Sequence, residues 1–173
     1  MSESAFEALA EDDGPFGLVV AAQSFHRTDP DTRWQRLVDV LAPGAAAAMF
    51  WNRWALDASV HDLDAVKSLY DRHEPSLTPD IGDNNEAEWP RDEIVGTAEL
   101  VDLVERTYPW TRELAALDYV ALLGTTSQYS VLPEDARSGL FDDLRAALGD
   151  RVTLQGRTLL FQMRRSVATG PRP

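Results

Sequence analysis

An α/β fold with a parallel sheet is what the N-terminal part of the chain predicts, and three observations predict it. Phe16 to Ala22 (FGLVVAA) is uniformly apolar, as a parallel strand covered on both faces must be. Asp29-Pro30-Asp31 then supplies a helix start: a capping residue, a first-turn proline and negative charge where the helix dipole favours it. After Ala42-Pro43-Gly44, a second apolar run, AAAAMFW, reaches Trp51. Strand, helix and strand in this order form a βαβ unit, with parallel strands and a right-handed crossover.

The elements follow in order. Trp34, Leu37, Val38 and Leu41 recur at helical spacing, so the first helix is expected over about Pro30 to Leu41. Leu56, Val60, Leu63, Val66, Leu69 and Tyr70 mark a second amphipathic helix. Glu74 to Pro90 is rich in Pro, Asp, Asn and Gly and reads as a long loop of the kind that forms lids or substrate loops. Leu100 to Trp110 fits helix or strand, with strand preferred for its second half. Leu114 to Leu123 reads as helix, Gly124 to Leu132 as a polar loop, and Pro133 to Leu148 as a helix with Leu140, Leu144 and Leu148 on one face. Val152 to Met163 alternates as a last strand. A single domain over 1–165 with a tail over 166–173 is expected.

Composition limits the function. The 173 residues, 44% of them apolar, suffice for a core. A formal charge of −13 argues against nucleic acid and against anionic membrane surfaces, which need clustered Lys or Arg. Lys67 is the only lysine, a composition bias without functional content. With no cysteine there is neither a disulfide framework nor a thiolate metal site. No run is long enough to span a bilayer, and the N-terminus lacks the pattern of a signal peptide. A soluble cytoplasmic protein is expected, without a metal site.

Ligands of open α/β sheets bind at the carboxyl ends of the strands. That rule puts Ala22, Gln23, Ser24 and His26 at the mouth of a site. His61 and His73 are expected to face solvent. No G-x-S-x-G elbow, Walker loop or H-E-x-x-H occurs.

The stretch FEALAEDDGPFGLVVAAQSFHRTDPDTRWQRLVDVLAPGAAAAMFWNRW resembles the second half of the nucleotide-binding core of class I S-adenosylmethionine-dependent methyltransferases of the small-molecule type, methyltransferase type 11-like. Members read there "FDLVVAAQAFHW", a "DP" helix start, "VLRPGG" and a strand ending "LFWN". YPWTREL, YVALLGTTSQYSVLP and GRTLLFQMRR are similar to the family's substrate-side segment, so the resemblance covers nearly the whole chain. Gly17, Arg27, Thr28, Ala42 and Ala45 depart from the pattern, and the glycine-rich G-x-G-x-G turn and ribose-binding acidic residue of the family fold have no counterpart.

The resemblance implies a partial Rossmann-like sheet, mostly parallel with an antiparallel last strand, flanked by helices. It implies S-adenosylmethionine as cofactor, bordered by Phe6 and Glu7 at the adenine and by Ala22, Gln23 and Ser24 at the methionine end. His26 would face a small-molecule methyl acceptor as an orienting group or a base. Tyr108, Trp110, Ser127 and Tyr129 would line the acceptor pocket, with core packing an equal reading for Trp110 and Tyr129. Because the first strands of the family fold have no counterpart, the expectation is a methyltransferase that is truncated and inactive as it stands. The alternative is a non-catalytic methyltransferase-like protein that binds a partner or dimerises through an open sheet edge.

Overall fold

Seven residues without a charge among them form β1, Phe16–Ala22. The computed structural model describes residue 6, residues 14–77, residue 79 and residues 90–167. A short 3-10 turn, Phe25–Arg27, follows β1, and then come helix α1 (Arg33–Val40) and strand β2 (Leu41–Leu56). Helices α2 (Leu63–His73) and α3 (Arg91–Gly96) lead to strand β3 (Leu100–Ala115). Helices α4 (Ala116–Gly124), α5 (Ser127–Ser130) and α6 (Glu134–Leu148) precede the last strand, β4 (Arg151–Arg165). The four strands form one mixed sheet in the order β1-β2-β4-β3, mostly parallel with the last strand antiparallel.

Helix α1 begins one turn later than its sequence suggests. Asp29 spends its carboxylate on the Asp31 amide at 3.0 Å and its carbonyl on the Arg33 amide at 3.0 Å, closing a separate turn before the helix. The buried face of α1 is still the expected one, with Trp34, Leu37 and Val38 inside. β2 then starts directly at Leu41 and runs beyond Trp51. Its register against β1 is parallel, Phe16↔Leu41, Leu18↔Ala46, Val20↔Ala48 and Ala22↔Phe50. The break in register between Phe16 and Leu18 absorbs Pro43 and Gly44, the latter at φ +77°, so these residues bulge a strand where they were read as ending a helix.

β1 is not covered on both faces: it is the edge strand, and Leu18 and Val20 are 58% and 54% exposed. The second helix starts at Leu63 with the Asp62 carboxylate accepting from the Ala65 amide at 3.0 Å, while Leu56 closes β2 and Val60 sits in an exposed turn. All of Leu100 to Ala115 is strand, and α5 occupies part of the segment read as a polar loop. Most of the loop after Pro79 lies outside the described residues.

The chain divides into two compact units, 1–52 with 86–108 and 158–173, and 53–85 with 109–157. The core of the first joins Trp34, Leu37 and Val38 of α1 and Ile94 of α3 to Ala47, Met49, Trp51, Phe161 and Met163 of the sheet. Leu18 and Val20 take no part in that core, which is why their face of β1 stays exposed. The core of the second joins Val66 and Tyr70 of α2, Tyr119 and Leu123 of α4 and Leu140, Leu144 and Leu148 of α6 to Val152 and Leu154. Among the described residues no helix is long and apolar enough to cross a membrane.

Candidate functional site at the end of β1

The apolar strand β1 stops at Ala22 because Gln23 turns into the left-handed region, at φ 55°. A residue with a Cβ pays for that conformation, so something nearby must hold it. Here the Gln23 amide donates to the Phe50 carbonyl at 3.1 Å, and the side chain clasps the backbone of Asn52 twice. Its Oε1 accepts from the Asn52 amide at 3.1 Å, and its Nε2 donates to the Asn52 carbonyl at 3.2 Å. Each such bond contributes about 1 kcal/mol net. The Asn52 carboxamide is oriented in turn, its Oδ1 accepting from the Thr158 hydroxyl at 2.7 Å.

The 3-10 turn that follows is anchored from below. Phe25 is buried, with ring centroids 4.8 Å from Trp34 and 5.6 Å from Phe6. His26 stays exposed, and its Nδ1 accepts from the indole N–H of Trp51 at 3.2 Å. An indole N–H can only donate, so the neutral imidazole carries its own proton on Nε2. Trp51 is itself 5% exposed and packs edge-on against Phe161, with centroids 6.0 Å apart. The loop after β1 is therefore tied to three consecutive residues of β2, Phe50, Trp51 and Asn52.

The residues expected from the sequence fall into distinct places. Ala22, Gln23, Ser24 and His26 come together as one exposed cluster in the first unit, and Tyr108, in the same unit, is 47% exposed. Phe6 is half-buried on Phe25, and Glu7 lies outside the described residues. In the second unit Ser127 is exposed at the start of α5. Trp110 lies flat on Gly156, where an added Cβ would meet Cζ2 of the ring at 2.2 Å. Tyr129 has no exposed surface, and its hydroxyl meets that of Tyr70 at 2.6 Å, so its phenol belongs to the core.

Trp51, Asn52 and Thr158 were not legible as partners, although the change from apolar to polar at Trp51-Asn52 marks a second strand position level with the loop. A second polar group went unread altogether. Beyond β2, Asp57 Oδ1 accepts from the Ser59 hydroxyl at 2.6 Å and the Ser59 amide at 2.8 Å, and Oδ2 accepts from Gln155 at 2.8 Å. The hydrogen bonds from Ser59, chiefly, hold the Asp57 carboxyl below the usual range. His61, expected at the surface, is half-buried and accepts from the Thr153 amide through Nε2 at 2.9 Å. Burial lowers its pKa, opposed by the charge of Asp57. His73 is likewise half-buried, 2.8 Å from Asp143. With Ser59 donating to Asp57 and His61 occupied by a backbone amide, this arrangement fastens a turn to β4 and activates no nucleophile. Among the described residues no group of three His, Asp or Glu side chains could hold a metal ion.

No protein-family profile matches the chain, and no curated protein sequence does. Solved structures do. A protein from Anaeromyxobacter dehalogenans put forward as a type II methyltransferase superposes with a TM-score of 0.52 at 20% identity, over 89% of this chain and 68% of that one. The fold is the class I methyltransferase fold. A Bacillus halodurans protein put forward as a methyltransferase aligns more loosely, with a TM-score of 0.47 at 12% identity over 95% of this chain and 70% of that one. A phosphoethanolamine N-methyltransferase from Haemonchus contortus, solved with S-adenosylhomocysteine, gives 0.35 at 13% identity over 87% of this chain and 33% of that one. The weight for the fold rests on the first. In a methyltransferase fold of this order the strand-end cluster of Ala22, Gln23, Ser24 and His26 lies where α/β sheets bind ligands.

Proposed function

We propose that the chain is an S-adenosylmethionine-dependent methyltransferase acting on a small molecule. The observation that carries the proposal is the exposed cluster at the carboxyl end of β1, held by the Gln23 clasp on Asn52 and the Trp51 bond to His26. The residues present suit one side of the cofactor. Ala22 is small and exposed, and with Ser24, also exposed, it flanks the turn at Gln23 where the methionine end would lie. The Gln23 side chain is spent on Asn52. No G-x-G-x-G turn stands in the sequence to receive the other side. When bound, the cofactor supplies a methyl group on a positively charged sulfur. What the chain contributes is positioning: the tied loop fixes the strand end and holds His26 at its edge, where the acceptor would be oriented. Phe6 and Tyr108, in the same unit as this loop, are the further residues proposed to line the site.

Isothermal titration with S-adenosylmethionine tests this reading. The expected result is saturable heat weaker than micromolar, lost in Ala22→Phe, which sets a ring at the strand end. Absence of any saturable heat in the unsubstituted chain would overturn the reading.

A second reading has its own observation. β1 is an edge strand of uncharged residues with Leu18 and Val20 exposed, which is the form of edge that pairs with another chain. On this reading the chain is a methyltransferase-like interaction protein, homodimeric through β1. Sedimentation of the wild type and of Val20→Lys separates the two: a dimer that the substitution dissociates favours the second reading, and a monomer in both removes it.

A further inference from the structure

The geometry points to Trp51 as the positioning residue that makes His26 a hydrogen-bond donor and withdraws it from service as a base. The assignment rests on the methyltransferase reading for its chemistry, although the geometry stands alone. The Trp51 indole donates to His26 Nδ1 at 3.2 Å. Trp51 is buried in the first core against Phe161, so the donor is a fixed post to which the exposed ring must adapt. A proton on Nδ1 would set two N–H groups against each other, and a buried indole N–H would lose its acceptor. Nε2 already carries the proton of the neutral ring. Neither nitrogen can then take a proton from a substrate without breaking the bond to Trp51.

The test is nitrogen-15 NMR of the His26 ring at about pH 8.5, above the ordinary imidazole pKa. The expected spectrum has Nδ1 as a purely pyridine-type nitrogen, and in Trp51→Phe that signal moves toward the value of a tautomer mixture. From the other side, His26→Ala should shift the Trp51 indole proton and speed its exchange with solvent. That second variant decides the matter if Trp51→Phe does not fold. A pyrrole-type Nδ1 in the wild type, a ring spectrum unmoved by Trp51→Phe, or an indole proton indifferent to His26→Ala would each overturn the assignment. No arm uses S-adenosylmethionine, so failure here is distinct from failure to bind the cofactor.

Discussion

The two units use polar residues in opposite ways. In the second, a set of polar side chains is tied up in structure: Tyr70 on Tyr129, Asp57 on Ser59 and Gln155, His61 on Thr153 and His73 on Asp143. In the first, a core of similar make-up supports Gln23, Ser24, His26 and Asn52 at the surface, and the bonds made to them orient the loop without burying it. An aromatic or a histidine in a promising sequence position therefore means little until its exposure and its partner are known.

That contrast can be broken most strongly in the second core. Leu144→Ala empties a fully buried position of α6 and should cost about 3 kcal/mol in urea denaturation. Gly156→Ala comes next. Its new methyl group would sit on the Trp110 indole, and displacing the ring should cost about 2 kcal/mol by the same measurement. Tyr129→Phe removes one hydroxyl from the buried pair and should cost about 1 kcal/mol while leaving any cofactor heat unchanged. A loss of cofactor heat in that variant would return Tyr129 to the site.

Acid sharpens the same comparison. His61 is lowered by folding, so the unfolded chain binds its proton first: the contribution is whole above the ordinary value of 6.5 and falls as the pH drops toward the folded value. Asp57, also lowered, contributes above the ordinary 3.8, and that contribution is lost as the pH falls through its folded value. Urea midpoints across this range should decline in two stages, and His61→Gln should remove the first. The smallest effect belongs to the first unit, where Val20→Lys on the exposed face of β1 should change the stability of a monomer by no more than about 0.5 kcal/mol.

How much of this was legible in the sequence depended on whether a residue's fate was local. The βαβ order, the apolar face of α1 and the run of α6 follow from periodicity and are present in the structure. Asp62 capping α2 was missed because Leu56 and Val60 happen to continue the helical spacing through a strand end and a turn. Pro43 and Gly44 carry a stop signal that the strand absorbed as a bulge. The candidate site was legible on one strand only. Ala22 to His26 could be read from the abrupt end of an apolar run, but Trp51, Asn52 and Thr158 reach it from distant positions, and no local pattern announces such pairings. The same holds for His61 and Thr153, whose bond spans 92 residues of sequence.

The central claim is that a ligand of the methyltransferase kind binds at the end of β1. Backbone and indole NMR shifts of the nitrogen-15-labelled chain, followed as S-adenosylhomocysteine is added, test it most directly. The amides of Ala22, Gln23, Ser24 and His26 and the indole of Trp51 should move together and saturate. Shifts confined to the second unit, around Ser59 and His61, or no saturating shifts at all, would contradict it.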